Sequence, residues 1–439
     1  MLDVLANRTY RHLFFAQVIA LVGTGLATVA LGLLAFDLAG ADAGAVLGTA
    51  LAIKMVAYIG VAPIASAFAD RVPRRTLLVA LDLVRAAVAL VLPFVTEIWQ
   101  VYVLIFVLQS ASAGFTPTFQ ATIPDVLPKE ADYTKALSLS RLAYDLESLA
   151  SPALAAALLT VVSFHSLFLG TVVGFVASAV LVVSTVLPKA KQPPRRSIYE
   201  RTTRGSRIYL STPRLRGLLA LNLAVASASA MVIVNTVVLV QSQLQLNQRF
   251  TAGALAAFGG GSMLIALGLP KLLERLPDRR VMVFGASVLT IGLLLGPLAT
   301  GNYAALVVLW LLLGMGYSLA QTPSGRLLRR SASEQDRPAL FAAQFALSHA
   351  CWLITYPVAG WLGAKAGLNA SFIALGILAG VTTFASLWLW PKDDPVEVPH
   401  THGDLKEGDE HLQSPAVDDA RQHSHAYVID DQHQRWPRS

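Results

Sequence analysis

The sequence predicts an all-α integral membrane protein of twelve transmembrane helices, arranged as two related six-helix halves. Three observations carry that expectation. Apolar residues make up 55% of the 439-residue chain and charged residues only 14%, with a mean hydropathy of +0.58, more apolar surface than a water-soluble core buries. The apolar residues fall into twelve unbroken runs close to the roughly 20 residues needed to cross hydrocarbon, and unbroken runs select helices over a closed barrel. Finally, a charged segment recurs once. Ala69-Asp70-Arg71-Val72-Pro73-Arg74-Arg75 returns as Glu274-Arg275-Leu276-Pro277-Asp278-Arg279-Arg280, each copy between the second and third run of its half.

Taken in order, the first half (residues 1–187) is expected to span at 12–38, 43–68, 76–95, 99–123, 135–161 and 164–187. Its first run follows Arg8, Arg11 and His12, is too long for a signal-peptide core and lacks a small-residue cleavage site, so it reads as an uncleaved helix. Residues 188–213 carry Lys189, Lys191, Arg195, Arg196, Arg201, Arg204 and Arg207; they are expected to form a solvated basic linker beside anionic headgroups. The second half (214–390) spans at 214–242, 250–272, 281–300, 303–327, 339–364 and 368–390. From 391 to 439 the chain is acidic, polar and rich in His, and it is expected to be disordered.

Loop charge sets the orientation, because Lys and Arg collect on the cytoplasmic side. Arg71, Arg74 and Arg75, then Lys129 and Lys135, then Arg275, Arg279 and Arg280, then Arg329, Arg330 and Arg337 all fall between even-numbered spans and the next. The alternate loops are nearly bare. Both termini are therefore expected in the cytoplasm, and the protein in a bacterial-type inner (plasma) membrane. The net charge of +7 is explained by these loops, which leaves no role for nucleic acid. A single cysteine, Cys351, excludes an intramolecular disulfide.

The Asp-Arg-x-x-Arg-Arg loop at residues 70–75, between the second and third helices, resembles the signature of the major facilitator superfamily, with Ser66 and Pro73 where that pattern carries glycine. Asn7-Arg8-Thr9-Tyr10-Arg11 and Phe115-Thr116-Pro117-Thr118-Phe119-Gln120-Ala121-Thr122-Ile123-Pro124-Asp125 resemble its drug and siderophore exporter branch, the one that holds the enterobactin exporter. The resemblance implies two bundles that rock about a central site by alternating access. It implies that Asp70, Arg71, Arg74, Arg75, Glu274, Arg275 and Arg279 form gate loops that steady the state closed to the cytoplasm. On the fifth helix Pro152 matches the antiporter pattern, but Glu147 stands where that pattern has glycine, and the fourth helix has no Arg.

Charges within a span are costly and are functional candidates by default. Lys54, Asp145, Glu147 and His349 each lie about ten or more residues into a span, which at 1.5 Å per residue places all four near mid-membrane. Asp145 and Glu147 are two positions apart and cannot share one face. Arg141 and Asp145 have the spacing of an intrahelical ion pair, leaving Glu147 as the better pathway candidate; His349 reads as a packing histidine or as a metal or proton site. Asp82 and Arg85 are expected to snorkel as a structural pair near the cytoplasmic end of the third helix.

The tail holds six of the nine histidines. His400 with His402, and His423 with His425, make two His-x-His pairs beside carboxylates, a donor set suited to nickel, cobalt or zinc. His-rich tails on such chains resemble those of nickel-resistance exporters. The resulting expectation is a monomeric secondary transporter that exports nickel, with cobalt as a second ion, in exchange for protons. The alternatives are a drug or siderophore exporter and a non-transporting membrane metal sensor. No phosphate loop, hydrolase triad or redox motif is present, so neither an enzyme nor a resident cofactor is expected.

Overall fold

The computed structural model describes residues 2–39, 43–69, 71–188, 197–395, 397–401, 422–433 and 435–437. The first six spans are α1 (Arg8–Ala39), α2 (Ala43–Ala69), α3 (Arg74–Val91), α4 (Ile98–Val126), α5 (Glu130–Leu158) and α6 (Phe164–Val183). A connecting helix α7 (Ile198–Ser211) leads into α8 (Pro213–Val237), α9 (Gln248–Arg275), α10 (Asp278–Leu295) and α11 (Tyr303–Gln321). After a short α12 (Ser324–Arg330) come α13 (Arg337–Pro357), α14 (Gly363–Ala366) and α15 (Leu368–Leu389), then strands β1 (Glu397–Thr401) and β2 (Gln422–Ala426). Every predicted span is helical, with 303–327 divided between α11 and α12 and 339–364 between α13, a π turn and α14. Among the described residues ten helices are long and apolar enough to cross a membrane; α2 contributes a shorter apolar stretch, Ala52–Phe68. The charges Arg141, Asp145 and Glu147 interrupt the apolarity of α5.

The two halves share one packing plan. In the first, α1 packs on α5 and α6, α2 on α4, and α3 on α4 and α6; in the second, the equivalent pairs recur as α8 on α13 and α15, α9 on α11, and α10 on α11 and α15. The halves meet along α5 with α9 and α2 with α13, again an equivalent pair. In lipid, helices associate by close van der Waals packing, which favours small residues at the crossing. A Cβ on Gly314 of α11 would fall 1.9 Å from the Phe258 carbonyl oxygen of α9. Where α13 passes through a π turn at Val358–Leu362, the Ala359 carbonyl accepts from Asn235 Nδ2 (3.1 Å) and Ser371 Oγ (3.1 Å). Irregular backbone is thereby satisfied without water.

Three expectations need correction. The linker is not simply solvated: Ser197 caps α7 by accepting from the Glu200 N–H (3.2 Å), and α7 buries Arg204, Gly205, Ile208 and Tyr209 against α13. One face of α7 therefore leaves water and takes Arg204 with it, while Arg207 stays exposed. The tail is not wholly disordered, since β1 pairs antiparallel with β2 and Tyr427 and Ile429 enter the core of the second half. Asp82 and Arg85 do not snorkel. They pair deep in the first half, where Ser178 Oγ donates to Asp82 (2.8 Å) and the guanidinium lies 4.0 Å from the Phe115 ring and 4.5 Å from that of Phe175. Their turn of α3 faces α4 and α6 rather than lipid.

Candidate functional site

The basic face is closed by two ion networks that cross between the halves. Arg74, at the start of α3, pairs with Asp125 near the end of α4, and Asp125 also pairs with Arg337 at the start of α13. Asp278, at the start of α10, lies 3.0 Å from Arg326 of α12, and Arg326 also pairs with Glu130 at the start of α5. Tyr133 OH donates to the Gly325 carbonyl (3.3 Å) and Arg326 Nη1 to Thr134 Oγ1 (2.8 Å), both across the same seam.

The predicted gate residues divide. Arg75 donates to the Val183 carbonyl at the end of α6 and the Thr185 carbonyl beyond it (3.5 Å each), and its counterpart Arg279 to the Leu387 carbonyl in the last turn of α15 (3.0 Å) and the Trp390 carbonyl just beyond (2.8 Å). Each thus supplies a cation and donors to a helix C-terminus, whose last carbonyls lack intrahelical partners. Arg71 lies over Phe68 and, like Glu274 and Arg275, is exposed. Asp70 falls outside the described residues. The reading from sequence missed Asp125, Glu130, Asp278, Arg326 and Arg337 as members of these ion networks. Their signal was a charge within a few residues of a span end, repeated in both halves.

The four ionisable residues expected at mid-membrane sort to opposite sides of α5. Asp145 is 3% exposed; it pairs with Arg141, and Ser262 Oγ of α9 donates to its other oxygen (2.6 Å). Arg141 Nη1 in turn donates to Tyr317 OH of α11 (3.1 Å), with the guanidinium 4.8 Å from that ring. Arg141 and Asp145 therefore bridge the halves as well as pairing along α5. Glu147 turns the other way, toward α1, where a Cβ on Gly25 would fall 2.5 Å from its Oε1. Lys54 lies within electrostatic reach of Glu147 and sits 5.4 Å from the Tyr58 ring centroid. Tyr58 OH donates to Gln109 Oε1 (2.8 Å).

His349 lies in an aromatic row. Phe345, His349, Trp352 and Tyr356 recur at helical spacing on α13 and are all half-buried. The Tyr58 ring meets Phe345 and His349 at 4.7 Å each, and Phe345 is 4.3 Å from His349. His349 Nδ1 is 2.7 Å from the Phe345 carbonyl oxygen, which commits it as a donor. The row went unread in the sequence, although its 3.6-residue spacing was the available signal. Among the described residues no group of three or more His, Cys, Asp and Glu is placed to hold a metal ion. The ladder sets His400 opposite His423 and Val398 opposite His425 along the backbone; His402, and the side chains of His400, His423 and His425, lie outside the described residues.

The chain is similar to known transporters along most of its length. It is 24% identical over 331 residues to the uncharacterized MFS-type transporter YfiS of Bacillus subtilis (strain 168), covering 72% of this chain and 78% of that protein. It is 28% identical over 153 residues to macrolide efflux protein A of Streptococcus pyogenes, covering 32% of this chain and 38% of that protein. Among solved structures, the human organic anion transporter MFSD10 (TETRAN) superposes with a TM-score of 0.76 at 13% identity, over 86% of this chain and 99% of that one. A single-site variant of the E. coli fucose:proton symporter FucP superposes with a TM-score of 0.68 at 14% identity, over 87% and 98%. These relatives are transporters rather than enzymes. The sequence profile of the Major Facilitator Superfamily matches residues 13–277 and 218–417, and the chain belongs to that family as a multi-pass membrane transporter.

Proposed function

We propose that this protein exports a bulky, largely apolar organic compound by alternating access, with Lys54 and Glu147 as polar anchors in the path. The observation that carries this reading is the half-buried row Phe345, His349, Trp352 and Tyr356, whose first two rings meet Tyr58 from the other half. Small-molecule sites are mostly apolar and aromatic with a few placed polar groups, which is the composition found here. The efflux direction is supported by the 153-residue similarity to macrolide efflux protein A. The basic face is taken as cytoplasmic in an inner membrane, with both termini on that side, by the positive-inside rule.

Proton exchange is proposed at Glu147, the intramembrane carboxylate whose counter-charge is a lysine from another helix rather than an arginine of its own. A divalent metal such as nickel or cobalt is a weaker reading, because the mid-membrane groups offer a guanidinium-paired Asp145 and a histidine enclosed by rings. The test is accumulation in cells with and without the protein. Reduced accumulation of a macrolide or a lipophilic dye, with nickel and cobalt tolerance unchanged, is expected. Metal tolerance alone would move the reading to metal export, and no flux of either kind would favour a non-transporting sensor.

A further inference from the structure

The basic face of the second half carries a docking surface whose occupant is a later segment of the same chain, described at residues 427–433 and 435–437. The segment is folded in itself. Tyr427 donates to the Arg435 carbonyl (2.8 Å), and its ring lies 4.5 Å from His433 and 5.1 Å from Trp436. Asp430 caps the turn by accepting from the backbone of Gln432 (2.9 Å) and His433 (2.7 Å) and from His433 Nδ1 (2.9 Å). Tyr427 and Ile429 are 6% and 2% exposed, inside the same core as α8, α13 and α15.

Two arginines receive it. Arg204 of α7 pairs with Asp431 (3.0 Å) while its Nε and Nη2 hold both oxygens of Asp336 (3.3 and 3.0 Å). Arg214 at the start of α8 is covered by the Trp436 ring (5.0 Å) and pairs with Asp394 (3.1 Å), which also pairs with Arg330. The positions of these anchors matter. Asp336 precedes Arg337, which crosses to Asp125; Arg330 lies one helical turn after Arg326, which crosses to Glu130. The segment therefore ends on residues adjacent to both networks that join the halves. It also fixes α7, which touches α2 of the first half as well as α13 of the second. A Cβ on Gly205 would fall 1.9 Å from the Ala339 carbonyl oxygen, so α7 lies directly on the α13 backbone.

We propose that the segment made by residues 427–433 and 435–437 is a strap acting in cis that holds the basic face shut and slows its opening. Its contacts suit a releasable element: Asp431 is 54% exposed, and ion pairs to exposed carboxylates are weak. The inference rests on the alternating-access reading and not on any substrate, so it is tested without one.

The full chain in lipid nanodiscs, with Cys351→Ser and spin labels at Lys129→Cys and Glu334→Cys on opposite halves, reports separation at this face. Trp436→Ala with Asp431→Asn is expected to speed hydrogen exchange in 427–437 and to raise the open population roughly three- to fivefold. A chain ending at Ala426 must give the same shift. Faster exchange in the strap with no change in the label distance, or a shift toward closure, overturns the proposal. Failure of the unaltered chain to export any compound tested, with the label response intact, would instead sink the transport reading and leave the strap standing.

Discussion

Arg74 and Asp278 occupy equivalent positions in the two halves and carry opposite charges. Each opens the third helix of its half, and each pairs within its own half with a residue near the end of the fourth span or shortly after it: Arg74 with Asp125, Asp278 with Arg326. Each of those partners then binds the start of the fifth helix of the other half, Arg337 or Glu130. One network reads plus, minus, plus and the other minus, plus, minus. A repeat that kept its sequence would have had each half supply one cation and one anion across the seam; with the inversion the first half supplies both anions, Asp125 and Glu130, and the second half both cations, Arg337 and Arg326.

Cross-half pairing predicts non-additivity. Asp125→Asn and Arg337→Gln should each open the basic face, and the double variant should open it by less than the sum, with a coupling of about 0.5–3 kcal/mol. Spin-label distances across the seam measure this, and strict additivity would show that Asp125 and Arg337 act separately.

The α9–α11 crossing should not tolerate a side chain at Gly314. Because the nearest neighbour of an added Cβ is backbone, at 1.9 Å, Gly314→Val should sharply reduce the yield of monodisperse protein in detergent. An unchanged elution profile would mean that the helices can part at no cost.

Removing one partner of a buried ion pair leaves the other charge uncompensated. Asp82→Ala should destabilise the first half by roughly 3–5 kcal/mol, read as a lower midpoint of unfolding. Replacing both Asp82 and Arg85 with apolar residues should recover much of that loss.

At the mid-membrane site the ring of Tyr58 should matter more than its hydroxyl. Tyr58→Phe keeps the contacts to Phe345 and His349 and loses one hydrogen bond, worth about 0.5–1.5 kcal/mol, so export should fall by about tenfold at most. Tyr58→Ala should abolish it. Glu147→Gln should also abolish export without loss of membrane insertion, and full transport in that variant would remove Glu147 from the mechanism.

The strap should be sensitive to acid. Burial works against the charge of Asp430, but hydrogen bonds from the His433 side chain and from the backbone of His433 and Gln432 hold it below the usual carboxylate range. A depressed carboxylate adds stability above its unfolded value and loses it as pH falls through the folded one. Anisotropy of a fluorophore at the C-terminus should therefore drop as the pH is taken below about 4. Tyr427, whose hydroxyl is pushed up to about 12 by burial and by the nearby Asp430 charge, stays neutral throughout.

By itself the sequence determined the spans, the repeat, the divergence of Asp145 and Glu147 on α5 and the Arg141–Asp145 pair, because each follows from helix length, rise and the angle between neighbouring side chains. Only the tertiary structure decided which distant charges meet. Nothing in chain order pairs Asp125 with Arg337, buries Asp82 between α4 and α6, or brings Asp431 to Arg204, since those contacts arise where six-helix halves and their connectors fold back on one another. The aromatic row on α13 stood between the two: its spacing was legible, but its role depended on Tyr58 arriving from a helix nearly 300 residues away.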